Sequence, residues 1–137
     1  MSASFIFAGS DHGIVSFRSK FPFAETVRRL QSGFAEKGIK VFATIDQSAE
    51  ASAAEQTLSP TTLILFGNPK AGTPLMSAKP QSGVDLPLKA LVIEPTPGEV
   101  QVIMNSADYL IERHALPTEL LNNIAAAEKH VNSLIAT

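Results

Sequence analysis

The chain has no cysteine, which removes disulfides, thiolate metal ligands, a cysteine nucleophile and thiol redox chemistry at once. It also lacks a basic surplus. Eleven Lys and Arg face thirteen Asp and Glu, for a net charge of -2, so the overall balance attracts neither a phosphate backbone nor an anionic membrane surface. Nucleic acid and membrane are therefore set aside as partners. Long apolar runs are missing as well. Residues 1–10 have no basic leading region, and the run Phe5-Ile6-Phe7-Ala8 is too short for a signal core or a membrane span. The chain reads as cytoplasmic. Its three histidines, His12, His114 and His130, fall at no zinc-site spacing, so no metal is indicated.

What is present suits a packed interior. At 45% hydrophobic and 18% charged over 137 residues, the composition supports a single domain, residues 1–137, with one continuous core. Residues 13–17 form a short strand-like run in which Ile14 and Ser16 oppose Val15 and Phe17. Pro22 then opens a helix whose Phe23, Val27, Leu30 and Phe34 share one stripe and which ends at Gly38. Residues 39–46 alternate as a second strand, and residues 47–56 form either a short surface helix or a loop. The unbroken apolar run 63–66 predicts a central strand buried on both faces. A polar segment rich in Pro and Gly follows, residues 67–87. Two further strand-like runs, 88–93 and 100–104, are separated by a Pro- and Gly-containing hairpin loop and should pair antiparallel. Pro117 and Thr118 open a last helix with a broad apolar face that includes Leu120, Leu121, Ile124, Val131 and Leu134. Without regular βαβ alternation, this order favours an α+β sandwich. The expected sheet is antiparallel or mixed, with about four to six strands and the two main helices on one face.

Three polar clusters could carry chemistry. The first, Gly67-Asn68-Pro69-Lys70-Ala71-Gly72-Thr73-Pro74-Leu75-Met76, has the glycine spacing of a P-loop, but Thr73 and Pro74 stand where that loop needs its lysine. A nucleotide triphosphatase is thereby disfavoured. Asn68 instead predicts a helix cap before Pro69, with free amides and Lys70 beside a helix start that favours an anion; the plainer alternative is an ordinary cap with a solvated lysine. The second cluster is Asp85-Leu86-Pro87-Leu88-Lys89. Lys89 either points to solvent or turns inward, pairs with Asp85 and becomes a base or Schiff-base amine. The third is Asp108, Tyr109, Glu112 and His114, where His114 is either an acid/base group or a histidine bonded to nearby backbone. His130 should lie on the wet side of the last helix.

Laid in order, these runs resemble a bacterial family known as domain of unknown function 302. The resemblance rests on Glu25-Thr26-Val27, on Gly38 with Val41-Phe42-Ala43-Thr44-Ile45-Asp46, and on the run from Phe66 to Met76. Asp85-Leu86-Pro87-Leu88-Lys89-Ala90-Leu91, Tyr109-Leu110 and Glu112-Arg113-His114 complete it. It implies a compact α+β fold, similar to TATA-binding-protein-like domains, and a homodimer. It brings no established reaction, substrate or cofactor. One departure concerns Gln47, which stands where the family commonly carries a histidine, so a metal or proton-transfer role at that position is not implied here.

The leading expectation is a binding module in which Asn68, Lys70, Thr73, Asp85, Lys89 and His114 serve a small anionic or amphipathic ligand. The first five should gather around one concavity, with Leu75 and Met76 giving apolar contact. Two rivals stand beside it. One is an enzyme that uses Lys89 or His114 as acid/base with an oxyanion site near Asn68. The other is a structural homodimer that uses the 67–76 loop as its interface.

Overall fold

A computed structural model describes residues 12–136; the apolar run at residues 5–8 lies outside them. The chain order is β1 (Ile14–Arg18), α1 (Phe23–Glu36), β2 (Lys40–Asp46), α2 (Gln47–Ala53), β3 (Thr61–Gly67), α3 (Pro69–Ala78), a 3-10 turn (Pro80–Asp85), β4 (Leu88–Thr96), β5 (Glu99–Asn105), α4 (Ala107–Arg113), a second 3-10 turn (Thr118–Leu120) and α5 (Leu121–Ile135). The five strands form one sheet in the order β1-β5-β4-β3-β2, and every neighbouring pair is antiparallel. The fold is an α+β sandwich, with α1 and α5 packed against each other and on the same sheet face.

Side-chain alternation builds that layer. On the helix side, Val15, Phe17, Ile64, Phe66, Ala90, Val92, Val102 and Met104 meet Leu30 and Phe34 of α1 and Val131 and Ile135 of α5. Phe34 stacks on Phe66 with ring centroids 4.1 Å apart. The Phe23, Val27, Leu30 and Phe34 stripe faces inward as its spacing requires, with Leu30 and Phe34 fully buried and Val27 packed at the margin. A second apolar cluster, with Leu75 of α3, Leu110 and Ile111 of α4, Leu116 of the connection that follows and Ile124 of α5, sits at one end of the sandwich. Leu88 packs against both clusters and joins them.

Turn chemistry sets the connections. The β4–β5 hairpin is tighter than its composition implied: Thr96 pairs with Glu99, so only Pro97 and Gly98 turn the chain, and Gly98 has φ +86°. Pro followed by a residue of positive φ is the pattern of a tight turn. Its amide is held by the Glu94 carboxylate at 2.7 Å. Residues 47–56, left open between helix and loop, begin with a true helix, α2, whose first turn is capped by Asp46 accepting from the Ala49 amide. This bond and that from Ser48 hold the exposed Asp46 carboxyl below its ordinary pKa. The polar stretch 67–87 contains α3 and the first 3-10 turn, and residues 107–113 add α4, which the sequence pattern did not single out.

One expectation fails for β3. Its residues alternate between buried and half-buried, so it is covered on one face only. The far face of the sheet is readable from the strand register. Its middle row runs Ser16, Ile103, Leu91, Leu63, Ile45 across the five strands. To one side, Ile93 lies between Gln101 and Thr61, and Arg18 pairs with Gln101. To the other side, Leu65 lies between Lys89 and Ala43, and Ile14 pairs with Asn105. None of these side chains belongs to either apolar cluster.

Candidate functional site

At the end of the sandwich where β3 leaves the sheet, a cleft of about 700 Å³ opens between α3 and α5. Its position follows from local sequence. Asn68 caps α3, its Oδ1 accepting from the Lys70 amide at 2.9 Å, and Pro69 occupies the first helical turn. The Asn68 cap before Pro69 is thus realised, but the free amides expected beside it are not: Asn68 takes the Lys70 amide with its side chain and those of Ala71 and Gly72 with its carbonyl, and Pro69 has none. Across the gap, Asn122, Ala126 and His130 recur at intervals of four along α5, with Asn123 and Ala127 beside them. Small alanines in that stripe leave space above Phe66, Gly67, Leu86 and Leu88 that larger side chains would fill. The Leu86–Pro87 peptide in this wall is cis.

The third wall comes from β2. Its register against β3 shifts between Val41 and Ala43, and this bulge leaves Phe42 out of the ladder and aims its ring at the cleft. Phe42 is 45% exposed, and the Lys40 ammonium stands 4.9 Å from its ring centroid. Asn123 ties the walls together by donating from Nδ2 to the Ala71 carbonyl at 3.0 Å. His130 is half-buried and does not lie on a wet helix side as expected. Its Nε2 donates to the Gly33 carbonyl of α1 at 3.1 Å, and its ring sits 6.1 Å from that of Phe34. Because a carbonyl only accepts, Nε2 carries a proton and Nδ1 is the free acceptor of the neutral ring.

Among the described residues, the ionisable groups lining the cleft are Lys37, Lys70 and His130; no carboxylate lines it. That bias is local, since acids outnumber bases in the whole chain.

The predicted site residues divide into three places. Asn68, Lys70 and Thr73 line the cleft. Lys89 does not: it pairs in register with Leu65 on the opposite face of the sheet, with Nζ 3.5 Å from the Pro87 carbonyl. Alternation decides this, because Ala90 and Val92 occupy the helix side. Asp85 also lies outside the cleft lining and meets a different partner from the one considered. Its Oδ2 is 2.6 Å from His114 Nε2 and 3.2 Å from Arg113 Nη1. His114 is 6% exposed, and since an ionised carboxylate only accepts, Nε2 donates to it. This group pins the Pro80–Asp85 turn to the C-terminal end of α4. The single concavity expected for Asn68, Lys70, Thr73, Asp85 and Lys89 is therefore not formed. Gln47 begins α2, away from the cleft lining.

The residues missed by sequence reasoning are Lys37, Ile39, Phe42, Asn122, Asn123 and His130. The stripe of Asn122, Ala126 and His130 was a legible signal, because two polar residues at helical spacing around an alanine mark a face that is neither plain core nor plain surface.

No described helix is long and apolar enough to cross a membrane. The chain is 41% identical over 106 residues to proteins named fluoride-specific ion channel FluC 1, from Brucella suis biovar 1 and Brucella abortus biovar 1. The match takes in 77% of this chain but only 42% and 39% of those proteins, so the chain spans about two fifths of their length. The crystal structure of an uncharacterized conserved protein DUF302 from Bacillus stearothermophilus superposes with a TM-score of 0.76 at 17% identity, over 90% of this chain and 96% of that one. The family model described as domain of unknown function DUF302 matches residues 15–136, and the chain belongs to that family.

Proposed function

We propose that this chain is a small-molecule binding module whose cleft takes an anionic amphipath, such as a medium-length carboxylate with an apolar tail. The observation that carries this reading is the lining of the cleft. Its walls are mainly apolar, including Ile39, Phe42, Phe66, Leu88 and Ile124, while its ionisable groups are Lys37, Lys70 and His130. Ligand pockets of roughly 300–1,000 Å³ with apolar walls and a few polar groups are the usual form of a small-molecule site. The start of α3 lies on the same side and adds positive dipole character, although its first-turn amides are already bonded to Asn68. Lys89 and His114, the groups an enzymatic reading relied on, stand outside this lining.

The test uses 8-anilinonaphthalene-1-sulfonate, itself an anionic amphipath, whose fluorescence rises in an apolar pocket. Decanoate should displace it and decanol should do so much less well. Replacing Lys37 and Lys70 together by Gln should weaken decanoate by roughly three- to tenfold and leave decanol unchanged, the range for two partly exposed charge contacts. Fluoride is included as a competitor because of the names of the curated relatives. Equal displacement by decanoate and decanol, or no dye binding, would refute the proposal.

A further inference from the structure

We infer that His130 is the headgroup contact of the cleft, and that a carboxylate settles against it only together with one proton taken from solution. The inference rests on the reading of the cleft as a site for anionic amphipaths. Among the described residues its ionisable lining groups are Lys37, Lys70 and His130. Both lysines are exposed, whereas His130 is half-buried. The amides at the start of α3 are already taken, because Asn68 accepts from those of Lys70, Ala71 and Gly72. A flexible lysine loses rotamer freedom when it holds an anion. The His130 ring is fixed beforehand. Its Nε2 donates to the Gly33 carbonyl at 3.1 Å, in the last turn of α1, and the Lys37 amide leaves that carbonyl to the ring by bonding Phe34 instead. The ring also packs near Phe34, which stacks on Phe66 of the cleft lining.

With Nε2 committed as a donor, the neutral ring presents a lone pair at Nδ1. A carboxylate oxygen presents lone pairs too, so the two repel unless one proton lies between them. That proton sits either on Nδ1, as imidazolium against carboxylate, or on the acid, as carboxyl against imidazole. Both arrangements need one proton that neither the neutral ring nor the free carboxylate brings. An alcohol headgroup differs, because its O–H donates to Nδ1 with no proton from solution. The charges around the ring fit this coupling. Lys37 of α1 and Lys70 of α3 line the cleft, Lys40 of β2 lies over Phe42, and Lys129 precedes the ring on α5. Glu128 of α5 turns instead to the Ala107 amide of α4, and Glu36 and Arg29 of α1 line a separate recess beside Gly33. No carboxylate lines the cleft among the described residues, so an incoming anion supplies the opposite charge that favours a protonated ring. The C-terminal end of α1 favours that charge as well.

The test measures decanoate and decanol between pH 6 and pH 8, where decanoate stays ionised and the lysines stay protonated. Decanoate should bind more tightly at the acid end, its Kd rising roughly five- to tenfold by pH 8 as the shared proton becomes scarce. The Kd of decanol should stay level. Titration calorimetry at pH 7 in two buffers of different ionisation heat counts the protons directly, and should give about half a proton taken up per decanoate and none per decanol. His130→Gln keeps a polar side chain without a titrating ring, and should level the decanoate profile. Glu128, whose pKa burial raises, remains in that variant, so a pH dependence that survives His130→Gln would overturn the inference. If the variant does not fold, the calorimetric count on the unaltered chain decides the matter. Decanoate that is preferred to decanol but binds with a level profile and no proton uptake overturns the inference alone. Decanoate that does not bind at all ends both the inference and the binding reading beneath it.

Discussion

Gly13 packs against the Tyr109 ring with no room for a side chain and offers a sharp test of the packing. It precedes β1 with φ +81°, and a Cβ built there would stand 2.5 Å from both Cδ atoms of the Tyr109 ring on α4. Its carbonyl accepts the Ser106 amide at 2.7 Å, which fixes where α4 begins relative to the sheet edge. Gly13→Ala therefore adds two costs. A left-handed conformation costs an L-residue about 1–2 kcal/mol, and forcing a methyl against a packed ring costs about 1–3 kcal/mol. The stiffer unfolded chain returns about 0.4–1 kcal/mol. The expected net loss is about 1–4.5 kcal/mol, and at about 2–4 °C per kcal/mol for a chain of this size the melting temperature should drop measurably. Urea denaturation followed by circular dichroism reads the free energy, and a double-mutant cycle separates the causes. In a Tyr109→Ala background the steric part disappears while the backbone part stays, so the substitution should then cost no more than about 1.5 kcal/mol. A Gly13→Ala protein within about 0.5 kcal/mol of wild type, or an equal cost in both backgrounds, would refute the reasoning.

Phe34, fully buried and stacked on Phe66, should cost about 3–5 kcal/mol when replaced by Ala, against less than about 1 kcal/mol for the exposed Phe42→Ala, both read by urea midpoint. Glu128 caps α4 by accepting from the Ala107 amide. Burial raises its pKa; that hydrogen bond opposes the shift and the Asp108 charge adds to it. The folded protein thus holds this proton more tightly than the unfolded chain. The stabilisation is fully present below the ordinary carboxylate value and is lost as pH rises through the folded pKa. Glu128→Gln should flatten that segment of the stability curve, and an unchanged pH dependence would contradict it.

Much of the fold was legible from local pattern. The Phe23–Phe34 stripe, the alternation of Val15 and Phe17, the 88–93 and 100–104 hairpin and the Asn68-Pro69 helix start all depend on residues close in sequence. Short-range periodicity and capping report such features directly. The one-sided burial of β3 was not legible, because Leu63 and Leu65 are as apolar as Ile64 and Phe66. Lys89 was ambiguous for the same reason: its strand is apolar at both parities, so alternation alone does not say which face the helices cover.

The sequence by itself determined the α+β class, the antiparallel hairpin, the helix stripes and the cap that opens α3, since each is written in spacings of two to four residues. Only the tertiary structure decided that Asp85 meets His114 rather than Lys89, that His130 reaches Gly33, and that Phe42, Asn68 and Asn122 share one cleft. Those partners lie tens of residues apart. Their meeting depends on strand order, on a single-residue bulge in β2 and on small side chains along α5, which act together only once the layers are packed.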